Sequence, residues 1–334
     1  WFAEGAENGD SAAEYNLGAL YYHGMGVETD YATAARWFRR AADQGVVLAQ
    51  FYLGLLYEEG QGVPPDPAEA ATWYSKAAEH NHGRAQAALG RLYELGHGVS
   101  LSHREALRWY RGAAQQGITE AQYYLGNMYY NGYGVSRNLR EAHHWFTKAA
   151  DGGNADAQYM QGRMYAQGQG VTKDPLEAAR CYRRAAVQDH SRAQYALGVA
   201  YERGRGVRKD DNKAATWYEQ AAGHGHLEAQ NALGVMHYEG RGVPESAERA
   251  AEWFGVAAAH GHRGAQYNLG RLFELGKGVE ANVEQAVEWY RQAAAHDHVQ
   301  AQFRLGQLYR SGAGVEVDYP RAVKWLRRAA EHRH

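Results

Sequence analysis

Apolar positions along the chain recur at helical spacing, and then the entire pattern recurs. In the stretch from 121 to 151, AQYYLGNMYYNGYGVSRNLREAHHWFTKAAD, residues Ala121, Leu125, Met128 and Tyr129 fall three or four apart, one stripe of an amphipathic helix. Ala142, Trp145, Phe146, Ala149 and Ala150 mark a second stripe. Between them, Gly132 fits a left-handed helix end and Asn138 is a preferred N-cap. The stretch therefore predicts an antiparallel pair of helices whose apolar faces need neighbours to cover them.

The neighbours are copies. Gly-x-Gly-Val returns every 36 residues, at Gly24, Gly60, Gly96, Gly132, Gly168, Gly204, Gly240, Gly276 and Gly312, without insertion or deletion. The N-cap register reads Asp30, Asp66, Ser102, Asn138, Asp174, Asp210, Ser246, Asn282 and Asp318. Three residues later stand Glu69, Glu105, Glu141, Glu177 and Gln285, which predict capping boxes. A glycine inside the first helix, Gly126 and its equivalents, costs about 1 kcal/mol against alanine, so its repetition predicts a crossing that excludes a side chain. All tryptophans share one register from Trp1 and Trp37 to Trp325, predicting inter-repeat core rather than an aromatic cofactor box. A Gly-x-Gly opening a helix can hold phosphate, but this one lacks a third glycine and the Lys-Ser/Thr of nucleotide loops. Repeated at fixed period, it is a joint.

Composition narrows the function classes. Lys and Arg number 36 against 38 Asp and Glu, so no basic excess attracts nucleic acid. No apolar run reaches the roughly 18 residues that would insert in a membrane. One cysteine, Cys181, excludes an internal disulfide framework and reads as a small buried hydrophobe. No asparagine lies in an Asn-x-Ser/Thr sequon.

Ala121-Gln122, Leu125-Gly126, Tyr129, Gly132-x-Gly134-Val135, Asn138, Ala142, Trp145 and Ala149-Ala150, echoed along the whole chain, resemble the Sel1-like repeat family of the tetratricopeptide superfamily. The resemblance implies an all-α fold: an α/α solenoid, a right-handed superhelix of nine 36-residue repeats, whose first helices line a concave groove. It implies a non-enzymatic adaptor for a protein or peptide segment, in a bacterial periplasm or cytoplasm. The alternative is an inhibitor or immunity-type protein that covers an enzyme. The expected boundaries are a single solenoid over 1–334, with 1–9 the remnant of a preceding repeat; open ends would allow end-to-end self-association. The fifth repeat departs from the pattern, with Gln161 for the core leucine and Cys181 for tryptophan, and predicts a softer joint.

Catalytic and metal chemistry find no constellation. The chain has no Gly-x-Ser-x-Gly and no His-Glu-x-x-His. Its 17 histidines include His80/His82, His224/His226, His260/His262, His296/His298 and His332/His334 in inter-repeat turns. Zinc needs three or four ligands, and no third ligand recurs beside these pairs. They read as turn residues, and His143-His144 as surface. No catalytic residue, metal ligand or cofactor is expected. Partner binding is expected at the variable groove positions Tyr123, Asn127, Tyr130, Asn131, Tyr159, Arg163, Tyr195, Glu202, Arg203 and Tyr238, which mix aromatic area, amides and both charges.

Overall fold

In the computed structural model, described for residues 2–331, the chain is helical with no strand among the described residues. Trp1, His332 and His334 lie outside them. Two compact units are formed, Trp1–Lys173 and Asp174–His334, dividing inside the fifth repeat. The first unit holds α1 (Phe2–Glu7), α2 (Ser11–His23), α3 (Tyr31–Asp43), α4 (Val47–Glu59), α5 (Pro67–Glu79), α6 (Gly83–Leu95), α7 (His103–Gln115), α8 (Thr119–Asn131), α9 (Leu139–Asp151) and α10 (Ala155–Gln167). The second holds α11 (Pro175–Ala186), α12 (Ser191–Arg203), α13 (Asp211–Gly223), α14 (Leu227–Glu239), α15 (Ala247–Ala259), α16 (Arg263–Leu275), α17 (Val283–Ala295), α18 (Val299–Ser311) and α19 (Tyr319–Glu331). Within each unit every helix packs on the next, as a stack of helix pairs requires. Even-numbered helices are the first of a pair and odd-numbered ones the second.

The glycine joints have two separate jobs. Gly132 caps α8 at φ 79°, and its N–H and that of Tyr133 both reach the Met128 carbonyl. Gly134, at φ 66°, lies over the start of α7 in the preceding repeat: a Cβ there would stand 2.4 Å from the His103 carbonyl oxygen. The first glycine ends a helix, and the second lets one repeat touch another.

N-caps form as expected, with one revision. Asn138 Oδ1 accepts from Arg140 and Glu141 N–H, and Asp66 Oδ1 from Ala68 and Glu69. The reciprocal half of the capping box is absent at these two ends. The Asn138 N–H donates to the Tyr129 carbonyl and the Asp66 N–H to Tyr57, which ties the loop back to the first helix. That leaves Glu69 free to accept from Trp73 Nε1 at 3.1 Å.

The tryptophans sit where one repeat meets the next. Trp73 belongs to the cluster of Phe38, Leu53 and Leu56, and Trp109 to that of Tyr74 and Leu89. Most are half-buried, with a cation such as Arg40 over Trp37 or Lys148 over Trp145. Deeper burial falls to the next residue: Phe38, Tyr74, Tyr110 and Phe146 are fully buried in the first unit, as is Tyr290 in the second. Each rests on the mid-helix glycine of its partner. A Cβ on Gly126 would lie 2.7 Å from the Phe146 ring, and one on Gly198 would lie 2.6 Å from Tyr218. The buried glutamine of each Ala-Gln pair clamps the end of the preceding helix, as Gln122 Nε2 does to the Ala114 carbonyl at 3.2 Å. In the fifth repeat, buried Gln161 donates to Thr147 Oγ1 at 3.0 Å, and Cys181 is buried.

Gly126→Ala should therefore lose about 1–3 kcal/mol of stability despite a better helix propensity, because the methyl overpacks against Phe146. Gly255→Ala, on α15 where a Cβ meets nothing within 4 Å, should gain up to about 1 kcal/mol. Urea titrations of both variants check the opposite signs.

Candidate functional site

The turn histidines have a local task. At the N-terminus of first helices, Nδ1 of His82, His190, His226, His262 and His298 accepts the N–H of Ala85, Ala193, Ala229, Ala265 and Ala301, at 3.0–3.4 Å. Asn154 fills the same role toward Ala157, whereas Val46 and Ile118 offer no side-chain cap. His226 stacks on Tyr195 with centroids 4.6 Å apart, and His298 on Tyr267 at 4.7 Å. An imidazole accepting at Nδ1 is neutral. Burial lowers the pKa of His82, His226 and His262, and, with Arg263 and His262 nearby, that of His298 to about 4. His143 is not a surface residue as expected: it is half-buried, edge-on to Tyr165 at 5.1 Å, and burial lowers its pKa. Among the described residues, no three metal-ligating side chains converge.

A second recurring contact shapes the exposed face of the first helices. Tyr74, Tyr110, Tyr218 and Tyr290 each donate a hydroxyl to a glutamate sixteen residues earlier: Glu58, Glu94, Glu202 and Glu274, at 2.6–2.8 Å. Burial and the adjoining carboxylate push these phenols well above the ordinary tyrosine range. Where the core ring is Phe38, Phe146 or Phe254, the earlier position is Tyr22, Tyr130 or Tyr238. A phenylalanine has no hydroxyl to donate, so no carboxylate is called for above it.

Six of the expected binding residues lie in the first unit. Tyr123 and Tyr130 are half-buried with centroids 6.0 and 6.4 Å from Phe146. The Tyr130 hydroxyl donates to Gln169 Oε1 at 2.7 Å, and Arg137 bonds its carbonyl and lies over its ring. Asn131 is exposed, but its amide donates to the Asn127 carbonyl of its own helix. Arg163 lies 5.9 Å over half-buried Tyr159, with Nη1 3.7 Å from Met160 Sδ. These tyrosines combine packing with partial exposure.

The other four lie in the second unit. Tyr195 is held by its His226 stack. Glu202 accepts from Tyr218 and also meets Arg241 Nη1 at 3.1 Å, while Arg241 Nε reaches Glu239 at 2.6 Å. Arg203 is exposed, with no ion-pair partner among the described residues. Tyr238 borders a crevice of about 280 Å³ between α14 and α16, with Val235, Glu239, Asn268 and Arg271 around it and Phe254 and Leu272 beneath. Beside it, Asn268 Nδ2 donates to Asn231 Oδ1 at 3.0 Å. Whichever way the two amides are turned, one donor group and one acceptor remain without a protein partner among the described residues. Sequence reading missed Asn231, Val235 and Asn268. The signal was available, because Asn231 stands in the register of Tyr195 and Tyr267.

Stacked helix pairs with glycine joints and a variable first-helix face define an α-solenoid of the kind that scaffolds protein–protein interactions. The Sel1 repeat model matches nine segments, 11–46, 47–82, 83–118, 119–154, 155–190, 191–226, 227–262, 264–298 and 299–334, and the chain belongs to the Sel1 repeat family. A protective antigen of uropathogenic Escherichia coli with an SLR fold is 35% identical, over 100% of this chain and 81% of that one, with a TM-score of 0.71. A Sel1 repeat protein from Oxalobacter formigenes is 34% identical, over 92% of this chain and 89% of that one, with a TM-score of 0.70. An immunity protein of Pseudomonas aeruginosa is more distant, 22% identical over 64% of this chain and 81% of that one, with a TM-score of 0.40. No curated protein matches the chain. No helix among the described residues is long and apolar enough to cross a membrane.

Four of the histidine caps predict acid sensitivity. Unfolded histidines take up protons near pH 6.5, while His82, His226, His262 and His298 resist until pH falls further, toward about 4 for His298. The unfolded chain then binds more protons, so stability falls as pH drops through this window. Urea titrations at pH 7 and pH 4.5 should show that loss, and His298→Asn, which caps without titrating, should retain about 0.5–2 kcal/mol more at pH 4.5. An unchanged pH dependence in His298→Asn would remove the cap from the account.

Proposed function

We propose that the chain is a non-enzymatic scaffold that holds an extended segment of a partner protein on the exposed face of its first helices. Sel1 repeat solenoids are typical of protein–protein interaction scaffolds. The observation that carries the finer reading is the Asn231–Asn268 pair. It leaves one donor and one acceptor unused beside a crevice that Asn268 itself lines together with Val235, Phe254 and Leu272. A peptide backbone offers the complementary carbonyl and N–H, and a side chain of the same peptide fits the crevice. Tyr238 supplies stiff aromatic area at the rim of that crevice.

The first unit offers its own strip through Tyr123, Asn127, Tyr130, Asn131, Tyr159 and Arg163. The second offers Tyr195, Glu202, Arg203 and Tyr238. Tyrosine rings already fixed by packing lose little freedom when a partner covers them, which favours their use as contact area.

The test is a random dodecapeptide display library panned against the whole chain, followed by direct titration of the selected peptides. Replacing Tyr130 and Asn131 together by alanine should cost at least about 2 kcal/mol for peptides held by the first unit. Replacing Tyr238 and Asn268 together should do the same for those held by the second. Helicity should be unchanged. Selected peptides that bind both double variants as tightly as the parent would put the site on another face, as in an inhibitor that covers its target with a rim.

A further inference from the structure

The second unit's first-helix face has a charge balance that the sequence alone conceals. Three glutamates of this face meet arginines from within the unit, two of them sharing a single guanidinium. Glu202 meets Arg241 at 3.1 Å, and Glu239 meets the same guanidinium at 2.6 Å. Glu274 accepts from Tyr290 at 2.6 Å and from Arg304 Nε at 3.0 Å. Burial works against the Glu274 charge, but Arg304 and Tyr290 outweigh it, and its pKa stays below the ordinary value. It is a carboxylate, already paired.

The cations are not used up in the same way. Arg203, Arg271 and Arg310 are exposed and have no ion-pair partner among the described residues. Arg271 borders the crevice and lies 5.9 Å over the Tyr267 ring, which holds its planar group along the helix face. Lys277, from the following loop, donates to the Tyr238 hydroxyl at 3.4 Å and has no ion-pair partner among the described residues. A ligand entering the Val235–Tyr238 crevice therefore meets Val235, Phe254 and Leu272, an amide donor and acceptor, the Glu239 carboxylate already held by Arg241, and the Arg271 cation without an ion-pair partner among the described residues.

We propose that the second unit docks an acidic peptide segment, anchored by one aliphatic or aromatic side chain in the crevice above Phe254 and Leu272. The peptide backbone pairs with Asn231 and Asn268, and carboxylates flanking the anchor meet Arg271 and Lys277, with Arg203 and Arg310 further along the strip. This rests on the scaffold reading above and specifies its partner. Unpaired guanidinium groups on a partly desolvated face favour carboxylates, and paired glutamates do not repel them.

The test uses three fluorescein-labelled decapeptides titrated by anisotropy against the whole chain. One carries four glutamates around a central phenylalanine, one replaces the glutamates by lysines, and one replaces the phenylalanine by serine. The acidic peptide with its anchor should bind at least tenfold tighter than either of the others. Its affinity should fall at least tenfold in Arg271→Glu and again in Val235→Asp, with far-UV circular dichroism unchanged. Arg321→Glu, on α19 and paired with Asp318 at 3.2 Å, serves as a control and should bind as the parent does. Equal binding of the lysine peptide, unchanged binding in Arg271→Glu, or no binding of the acidic peptide would each overturn the proposal. If panned peptides still lose affinity in the Tyr238 and Asn268 double variant, the scaffold reading survives that failure; if they do not, both fall.

Discussion

Most helix pairs depend on an aromatic ring set against a glycine, and the pair of α18 and α19 uses Leu326 on Gly306 instead. The ring of Phe146 occupies the place where a Cβ of Gly126 would be, and Tyr74, Tyr110, Tyr218 and Tyr290 repeat the arrangement on Gly54, Gly90, Gly198 and Gly270. This contact sets how closely the two helices of a pair approach. It buries one of the largest fully buried side chains of the repeat, at a position where a Cβ would press into the ring. The alanines around it, such as Ala142, Ala149 and Ala150, are fully buried for the same reason: the backbones are close. Once that spacing is fixed, Gly134 and its equivalents can press on the preceding repeat, and tryptophans such as Trp73 and Trp109 close the seam beside them.

The same ring reaches through to the functional face. In four pairs it is a tyrosine whose hydroxyl emerges among the first helices and donates to Glu58, Glu94, Glu202 or Glu274, while above Tyr182 the same position is Ala166. When it is phenylalanine, the position above is a tyrosine whose ring packs on it, as Tyr130 does on Phe146. The exposed face is therefore not an independent surface laid over a uniform core. Four of its carboxylates are fixed from below, and three of these, Glu58, Glu202 and Glu274, are also met from the side by Arg91, Arg241 and Arg304. What is left for a partner is the residue set that neither the ring nor the neighbouring repeat claims.

Much of the fold was legible because it rests on local rules repeated at one period. Gly132 as a helix end, Asn138 as a cap and Gly126 as a close crossing follow from conformational preferences that act within a few residues. The capping boxes were only half right, since the Tyr129 carbonyl competes for the Asn138 N–H and no pattern in the sequence reveals that competitor. The site was less legible. Glu202 reads as a free groove charge until Arg241, from the next repeat's loop, is seen to neutralise it. Asn131 reads as a partner-binding amide, yet that amide turns to its own helix. The His-x-His turns read as bland polar residues, and the second histidine proved to be a neutral N-cap. For Glu202 the deciding partner lies a full repeat away, whereas for Asn131 and the histidines it is a backbone group three or four residues off that helical periodicity does not single out.

The coupling between core ring and exposed face is the central claim, and a double-mutant cycle in the third repeat measures it directly. Glu94 accepts from Tyr110 at 2.7 Å, and Tyr110 is fully buried. Glu94→Tyr with Tyr110→Phe converts this repeat to the form of the fourth. Glu94→Tyr alone leaves a buried hydroxyl without its acceptor, and Tyr110→Phe alone removes the charge-assisted bond, so each should cost about 1–3 kcal/mol. The double variant should recover at least about 1 kcal/mol of the summed loss in urea unfolding. Strict additivity of the two single changes would contradict the claim that the core dictates which residues face a partner.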